Sequence, residues 1–175
     1  MKSVLNKRLV RKTGLKSEKL DKIMELIYEN PQKEFTVREI EKQTSLPRAT
    51  ISEYLKEMKK LNFLDKHSLL FKIKKTNYFI EKIVSSGLID FIIKELNPSC
   101  IILFGSVRKG DSDKESDIDL FVETYTEKNL DITKYEKILK HEISLFAENK
   151  ISNLNENLFN NVANGIKLYG SFKIK

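Results

Sequence analysis

Cysteine is nearly absent from this chain: Cys100 is the only one, so no internal disulfide can form. It opens an apolar run, which suits a small core residue better than a nucleophile. Histidine occurs twice, and no Cys/His zinc spacing is present. The apolar runs are far shorter than a membrane span requires, and the N-terminus lacks the apolar core of a signal peptide. No segment is low-complexity. These absences predict a cytoplasmic protein with no membrane partner.

What is present suffices for a packed core. The 175 residues are 40% hydrophobic and fit one ordinary domain or two small ones. Charge is divided unevenly. Residues 1–75 carry 19 Lys and Arg against 10 Asp and Glu, a net of +9. Residues 76–175 carry 13 against 15, a net of −2, and the two add to the chain's +7. A basic half joined to a mildly acidic one points either to a polyanion partner or to a lysine-rich solvated surface.

In the basic half, Leu20, Ile23, Met24, Ile27 and Tyr28 follow helical spacing up to Pro31. Thr36 and Glu39 have the spacing of a capping box, opening a helix to about Thr44. Pro47 suits the first position of the next helix, with Ile51, Leu55 and Met58 inward and Arg48, Thr50, Ser52, Glu53 and Lys56 outward. Asn62–Lys66 and Leu69–Lys74 read as two strands around His67-Ser68. TVREIEKQTSLPRATISEYLKEMKKLNFLDK resembles the winged helix-turn-helix domains of bacterial and archaeal regulators, over roughly residues 18–75. The resemblance implies double-stranded DNA as partner. Arg48 would reach base edges, Thr50 and Ser52 bases or phosphates, and Lys56, Lys59 and Lys60 the phosphate backbone.

In the second half, residues 76–96 read as one or two helices broken at Ser85-Ser86-Gly87, and Asn97-Pro98 stops them. A buried strand, Ile101 to Phe104, breaks at Gly105-Ser106. After a polar loop comes a strand in which Ile118, Leu120 and Val122 share one face while Asp117 and Asp119 share the other. Two adjacent carboxylates repel unless a cation or a proton lies between them. Asp111, Asp113, Glu115 and Asp117 alternate as in a calcium loop, but the sixth and twelfth positions of that loop would hold Ser116 and Val122, not Gly and Glu. Beyond lie a helix (Ile132–Lys140), a strand (Glu142–Ala147), a helix (near Leu154–Val162) and a last strand (Ile166–Tyr169). This is a small mixed unit, too small for a Rossmann or kinase core.

Gly105-Ser106, ten intervening residues, then Asp117-Ile118-Asp119 resemble the minimal nucleotidyltransferase domain of the polymerase-β-like superfamily, over residues 88–170. The fold class expected is therefore α/β (α+β): a winged helix-turn-helix at 1–75, then linker helices and a small mixed-sheet nucleotidyltransferase domain at 76–175. The resemblance implies transfer of a nucleotidyl group, AMP from Mg·ATP, to a hydroxyl acceptor. Gly105 and Ser106 would admit the triphosphate, Arg108 and Lys109 would counter its charge, and Asp117 and Asp119 would share Mg²⁺. The third carboxylate of active members aligns with Ser144 here, and Glu142, two residues earlier on the same face, is the candidate substitute. Such domains can act as antitoxins on a helical toxin partner, and the basic half fits transcription control. The alternative is a regulator whose degenerate domain senses nucleotide or mediates homodimer formation. RNA modification is a third option, disfavoured because no RNA-recognition aromatic motif is present.

Overall fold

The computed structural model describes residues 17–173. The expected domains 1–75 and 76–175 thus extend beyond it at both ends, at residues 1–16 and 174–175. The chain divides into two compact units, with the division between Phe71 and Lys72.

The first unit is helical. Helix α1 spans Ser17–Glu29, α2 spans Val37–Thr44 and α3 spans Arg48–Lys60. Both halves of the capping box form at the start of α2. Glu39 N donates to Thr36 Oγ1 at 3.3 Å, and Thr36 N donates to the Glu39 carboxylate at 2.8 Å. That backbone bond, reinforced by Lys33, holds the Glu39 carboxyl down at about 2. Pro47 stands at the N-cap of α3, one residue before its expected place, and Arg48 is the first helical residue. The inward stripe of α3 is Ile51, Tyr54 and Met58, packed with Leu20, Ile23 and Ile40. Leu55, expected inside, is only half-buried, and Tyr54 takes the deeper place.

The wing does not form. Residues 61–64 are a turn folded back on α3, with Phe63 N donating to Met58 O at 3.0 Å and Asn62 at φ 55°. Leu69–Lys74, expected as a strand, is the start of helix α4, Leu69–Ser85. Two local causes favour the helix. Ser68 Oγ accepts from Phe71 N at 3.1 Å, satisfying an amide of the first turn that has no partner within the helix. Phe71, Lys75, Phe79 and Ile83, spaced by four, are all buried while Ile73, Asn77 and Glu81 between them are exposed, whereas a strand would set all seven on one face.

The second unit is the mixed α/β body. The rest of α4 leads through Gly87, at φ 81°, into α5, Leu88–Leu96. Then follow β1 (Cys100–Phe104), α6 (Gly105–Lys109), β2 (Ile118–Glu123), α7 (Thr133–Leu139) and β3 (Ile143–Glu148). A 3-10 turn at Ile151–Asn153, α8 (Glu156–Ala163) and β4 (Ile166–Gly170) complete it. The sheet order is β3-β2-β1-β4, with β2 and β3 parallel and the other pairs antiparallel. Alternation along the strands sends side chains to two cores. Ile101, Leu103, Ile118, Leu120 and Val122 pack with α4, α5 and α7. Cys100, Ile102, Phe104 and Phe121 pack with Ile151 and Val162 on the opposite face. Burial pushes the Cys100 thiol up to about 11, as suits a core residue. Among the described residues, no helix is long and apolar enough to cross a membrane.

Candidate active site

β1 ends at Phe104, whose backbone partner on β2 is Asp119. The chain then turns at Gly105, at φ 69°, a left-handed conformation that a side chain disfavours. Glycine also leaves room there for a neighbouring side chain. A β-carbon at position 105 would overlap the Asp119 carboxylate, so this acid lies directly against the turn. Ser106 follows, half-buried, in the short helix α6. Gly105, Ser106 and Asp119 are thus brought together by the antiparallel pairing of β1 with β2.

Asp119 is half-buried, and no described residue donates a hydrogen bond to it. Its carboxyl is raised above its ordinary value, first by desolvation and then by the neighbouring charge of Asp117. Asp117 is exposed at the foot of the same strand. Both causes would be reversed by a cation between the two acids, so the pair fits a hard divalent ion. Asp117 and Asp119 are the residues that would hold it.

The other expected site residues divide. Arg108 is half-buried and Lys109 exposed, both in α6 beside Ser106. Ser144 is the direct partner of Asp119 across the parallel β2–β3 ladder. Glu142 is exposed just before β3, where its carbonyl accepts from Ile118 N at 2.9 Å. Among the described residues, no group of three or more His, Cys, Asp or Glu is placed to hold a metal ion. Two acids therefore converge here, and position 144 contributes a hydroxyl.

Two further acids of the loop joining α6 to β2 have partners in the fold. Asp113 Oδ1 accepts from Glu115 N at 3.1 Å and from Ser116 Oγ at 3.0 Å, and Asp111 pairs with Lys72 at 2.7 Å. Sequence reasoning missed the side chains that hold this loop from behind. Lys75 Nζ donates to the Ser112 carbonyl, and Thr76 Oγ1 lies 3.2 Å from the carbonyls of both Val107 and Arg108. His141 Nδ1 lies 2.7 Å from the Ser116 carbonyl. A carbonyl only accepts, so that ring nitrogen carries the proton. A signal for Lys75 was available: a lysine at helical spacing between Phe71, Phe79 and Ile83.

The expected DNA-contacting residues lie on α3. Arg48, Ser52 and Lys56 are exposed and Thr50 is half-buried. Arg48 Nε contacts Glu41 Oε2 at 2.6 Å, so a base would have to compete with that carboxylate.

Residues 87–173 match the family described as polymerase beta, nucleotidyltransferase. The matched stretch begins at the N-cap of α5 and contains the whole sheet, both aspartates and the Gly-Ser turn. Nucleotidyl transfer is thereby indicated at the level of the family. No curated protein and no solved structure gives a significant match to the chain.

Proposed function

We propose that the second unit binds a nucleoside triphosphate with a divalent cation and transfers its nucleotidyl group, AMP from Mg·ATP, to a hydroxyl acceptor. The observation that carries this reading is the fit of the half-buried, donor-free Asp119 against Gly105, with Asp117 beside it. Mg²⁺, when bound, supplies neutralisation of the phosphate charge. The chain's own groups orient the substrate. Ser106 offers a hydroxyl to a phosphate oxygen, and Arg108 and Lys109 stand on the same short helix to counter the triphosphate. The acceptor oxygen bonds to the α-phosphorus, the bond to the bridging oxygen breaks, pyrophosphate leaves and the hydroxyl proton passes to water. Glu142 is the side chain available to assist that proton.

Calorimetry should give Mg·ATP binding that Asp117→Asn greatly weakens, and labelled ATP should leave its AMP on an acceptor in cell lysate. Equal affinity in wild type and Asp117→Asn would return the acids to an ordinary polar surface.

A second reading is favoured by Ser144. Where a third acid would stand opposite Asp119, a hydroxyl stands instead, so the domain would sense nucleotide, or mediate dimerisation, without fast turnover. Labelled-AMP incorporation by Ser144→Asp and Glu142→Gln separates the two. Transfer raised in the first and lost in the second supports catalysis. No label in either, with ATP still bound, supports the sensor.

The helical unit is proposed to grip duplex DNA through α3, as control of transcription would need, while an antitoxin role would belong to the second unit acting on a helical toxin partner. Arg48→Ala should relax sequence preference and Lys56→Ala should weaken all sequences alike. Absence of any salt-sensitive duplex binding by fluorescence anisotropy would remove this role.

A further inference from the structure

A lysine that is 0% exposed is costly to keep. Its ammonium must be stripped of water, a penalty that its partners have to offset. Lys75 occupies a place in the stripe Phe71, Phe79 and Ile83 where an apolar side chain of similar length would serve packing as well. Its ammonium donates to the main-chain oxygen of Ser112, 37 residues further on in the loop between the Gly-Ser turn and Asp117. The next residue, Thr76, directs its hydroxyl to the carbonyls of Val107 and Arg108, in the short helix that carries Ser106. The approach is close. A β-carbon at Gly110, at φ 72°, would lie 2.7 Å from the carbonyl oxygen of Lys72, leaving no room for any residue but glycine between loop and helix.

We infer that Lys75 and Thr76 are positioning residues for the nucleotide site, holding the segment from Ser106 to Asp117 in register through its main-chain carbonyls. This rests on the reading of Asp117, Asp119 and Gly105-Ser106 as a nucleotide site. Contacts at 107, 108 and 112 fix the segment from α4, and His141 fixes it again at Ser116, the residue before Asp117. Ser106 and Asp117 therefore stand at the two ends of one clamped segment. Neither Lys75 nor Thr76 needs to touch the nucleotide. Displacing a positioned group by about 1 Å costs binding and catalysis far more than it costs folding.

The test uses the full chain with Lys75→Met, Thr76→Val and Thr76→Ser, at a temperature where their far- and near-ultraviolet circular dichroism superimposes on wild type. Two quantities are read: the Kd for Mg·ATP and amide exchange of peptides covering 106–117. Lys75→Met should weaken Mg·ATP by roughly ten-fold or more and speed exchange in the loop, with β1 and β2 unchanged. Thr76→Val should do the same to a smaller extent, and Thr76→Ser, which keeps the hydroxyl, should restore wild-type values. Folded Lys75→Met and Thr76→Val proteins with wild-type Kd and wild-type loop exchange would overturn the inference alone. A wild type that binds no Mg·ATP would overturn the site reading beneath it, and unchanged loop exchange would then dispose of the clamp as well. If Lys75→Met does not fold, the Thr76 pair decides by the same two readings.

Discussion

Two carboxylates on one face of one strand have opposite surroundings. Asp119 and Glu123 are four residues apart on β2, and both point to the side of the sheet that carries Phe121. Glu123 is buried and fully engaged: Ser99 Oγ donates to one oxygen at 2.6 Å and Ile151 N to the other at 2.8 Å. Its charge ties the start of β1 to the 3-10 turn and is satisfied inside the protein. Asp119 is also drawn out of water, yet no described residue donates a hydrogen bond to it, and Gly105, Asp117 and Ser144 stand around it. A buried charge is tolerated where donors meet it and is a liability where none does. The difference separates an acid that holds the fold from one that the fold leaves without a donor, as the proposed nucleotide site would need.

The contrast breaks most visibly at Glu123. Glu123→Gln keeps the shape but turns two charge-assisted bonds into neutral ones, with the Ser99 hydroxyl rotating to accept from the new amide, which should cost about 2 kcal/mol of stability. Chemical denaturation measures that loss. Calorimetry well below the transition should give an unchanged Kd for Mg·ATP. A Kd that moves with Glu123→Gln would join the two acids into one network and end the distinction.

Next in size is Gly105→Ala. The left-handed backbone alone costs roughly 1–2 kcal/mol for a residue with a side chain, and the new methyl displaces the Asp119 carboxylate. Stability should fall by about that amount, and the response of the melting temperature to Mg·ATP should disappear. Retention of that response would mean that Asp119 can move without consequence for the ligand.

A smaller effect of opposite sign is expected at Asp119 itself. Its folded-state carboxyl is raised above its ordinary 3.8 by desolvation and by Asp117, so the folded protein holds that proton more tightly than the unfolded chain. The linkage therefore favours the folded state below the ordinary value and is lost as pH rises through the raised one. At neutral pH and without metal, Asp119→Asn should melt a few degrees above wild type, and that gap should close on acidification toward 3.8. Mg²⁺ should raise wild type and leave Asp119→Asn unmoved. A gap that widens on acidification would show that the Asp119 carboxylate already has a partner in the fold.

The placement of Asp117 and Asp119 was legible in the sequence because a strand announces its faces: Ile118, Leu120 and Val122 go inward, which leaves the two acids together. The Gly-Ser break placed their neighbour as well. The run Leu69–Lys74 was not legible as helix because six residues rich in Leu, Phe and Ile satisfy both periods. What decides them is the Ser68 cap and a stripe that emerges only when Phe79 and Ile83 are counted with Phe71. The roles of Lys75, Thr76 and His141 were hidden for a different reason. Each is directed at a main-chain carbonyl, and a carbonyl has no residue type to betray it in a sequence. Glu123 was passed over because its donors, Ser99 and the Ile151 amide, lie 24 and 28 residues away and meet it only once the sheet is formed.

Ser112 supplies the finest test of the same contrast, because it is a buried polar group with no charge. Its residue is 0% exposed and its hydroxyl is, among the described residues, a buried side-chain polar atom without a partner. Its backbone carbonyl, by contrast, receives Lys75. Removing a buried hydroxyl that makes no bond relieves its desolvation, so Ser112→Ala should leave stability unchanged or raise it by about 1 kcal/mol. The carbonyl is retained in alanine, so the hold of Lys75 on the loop and the Kd for Mg·ATP should both persist. Denaturation and calorimetry on the same preparation check the two halves together. If Ser112→Ala loses Mg·ATP affinity while gaining stability, the hydroxyl belongs with Asp119 among the groups kept for the ligand at the expense of the fold. If it loses stability, its oxygen is bonded in solution and belongs with Glu123.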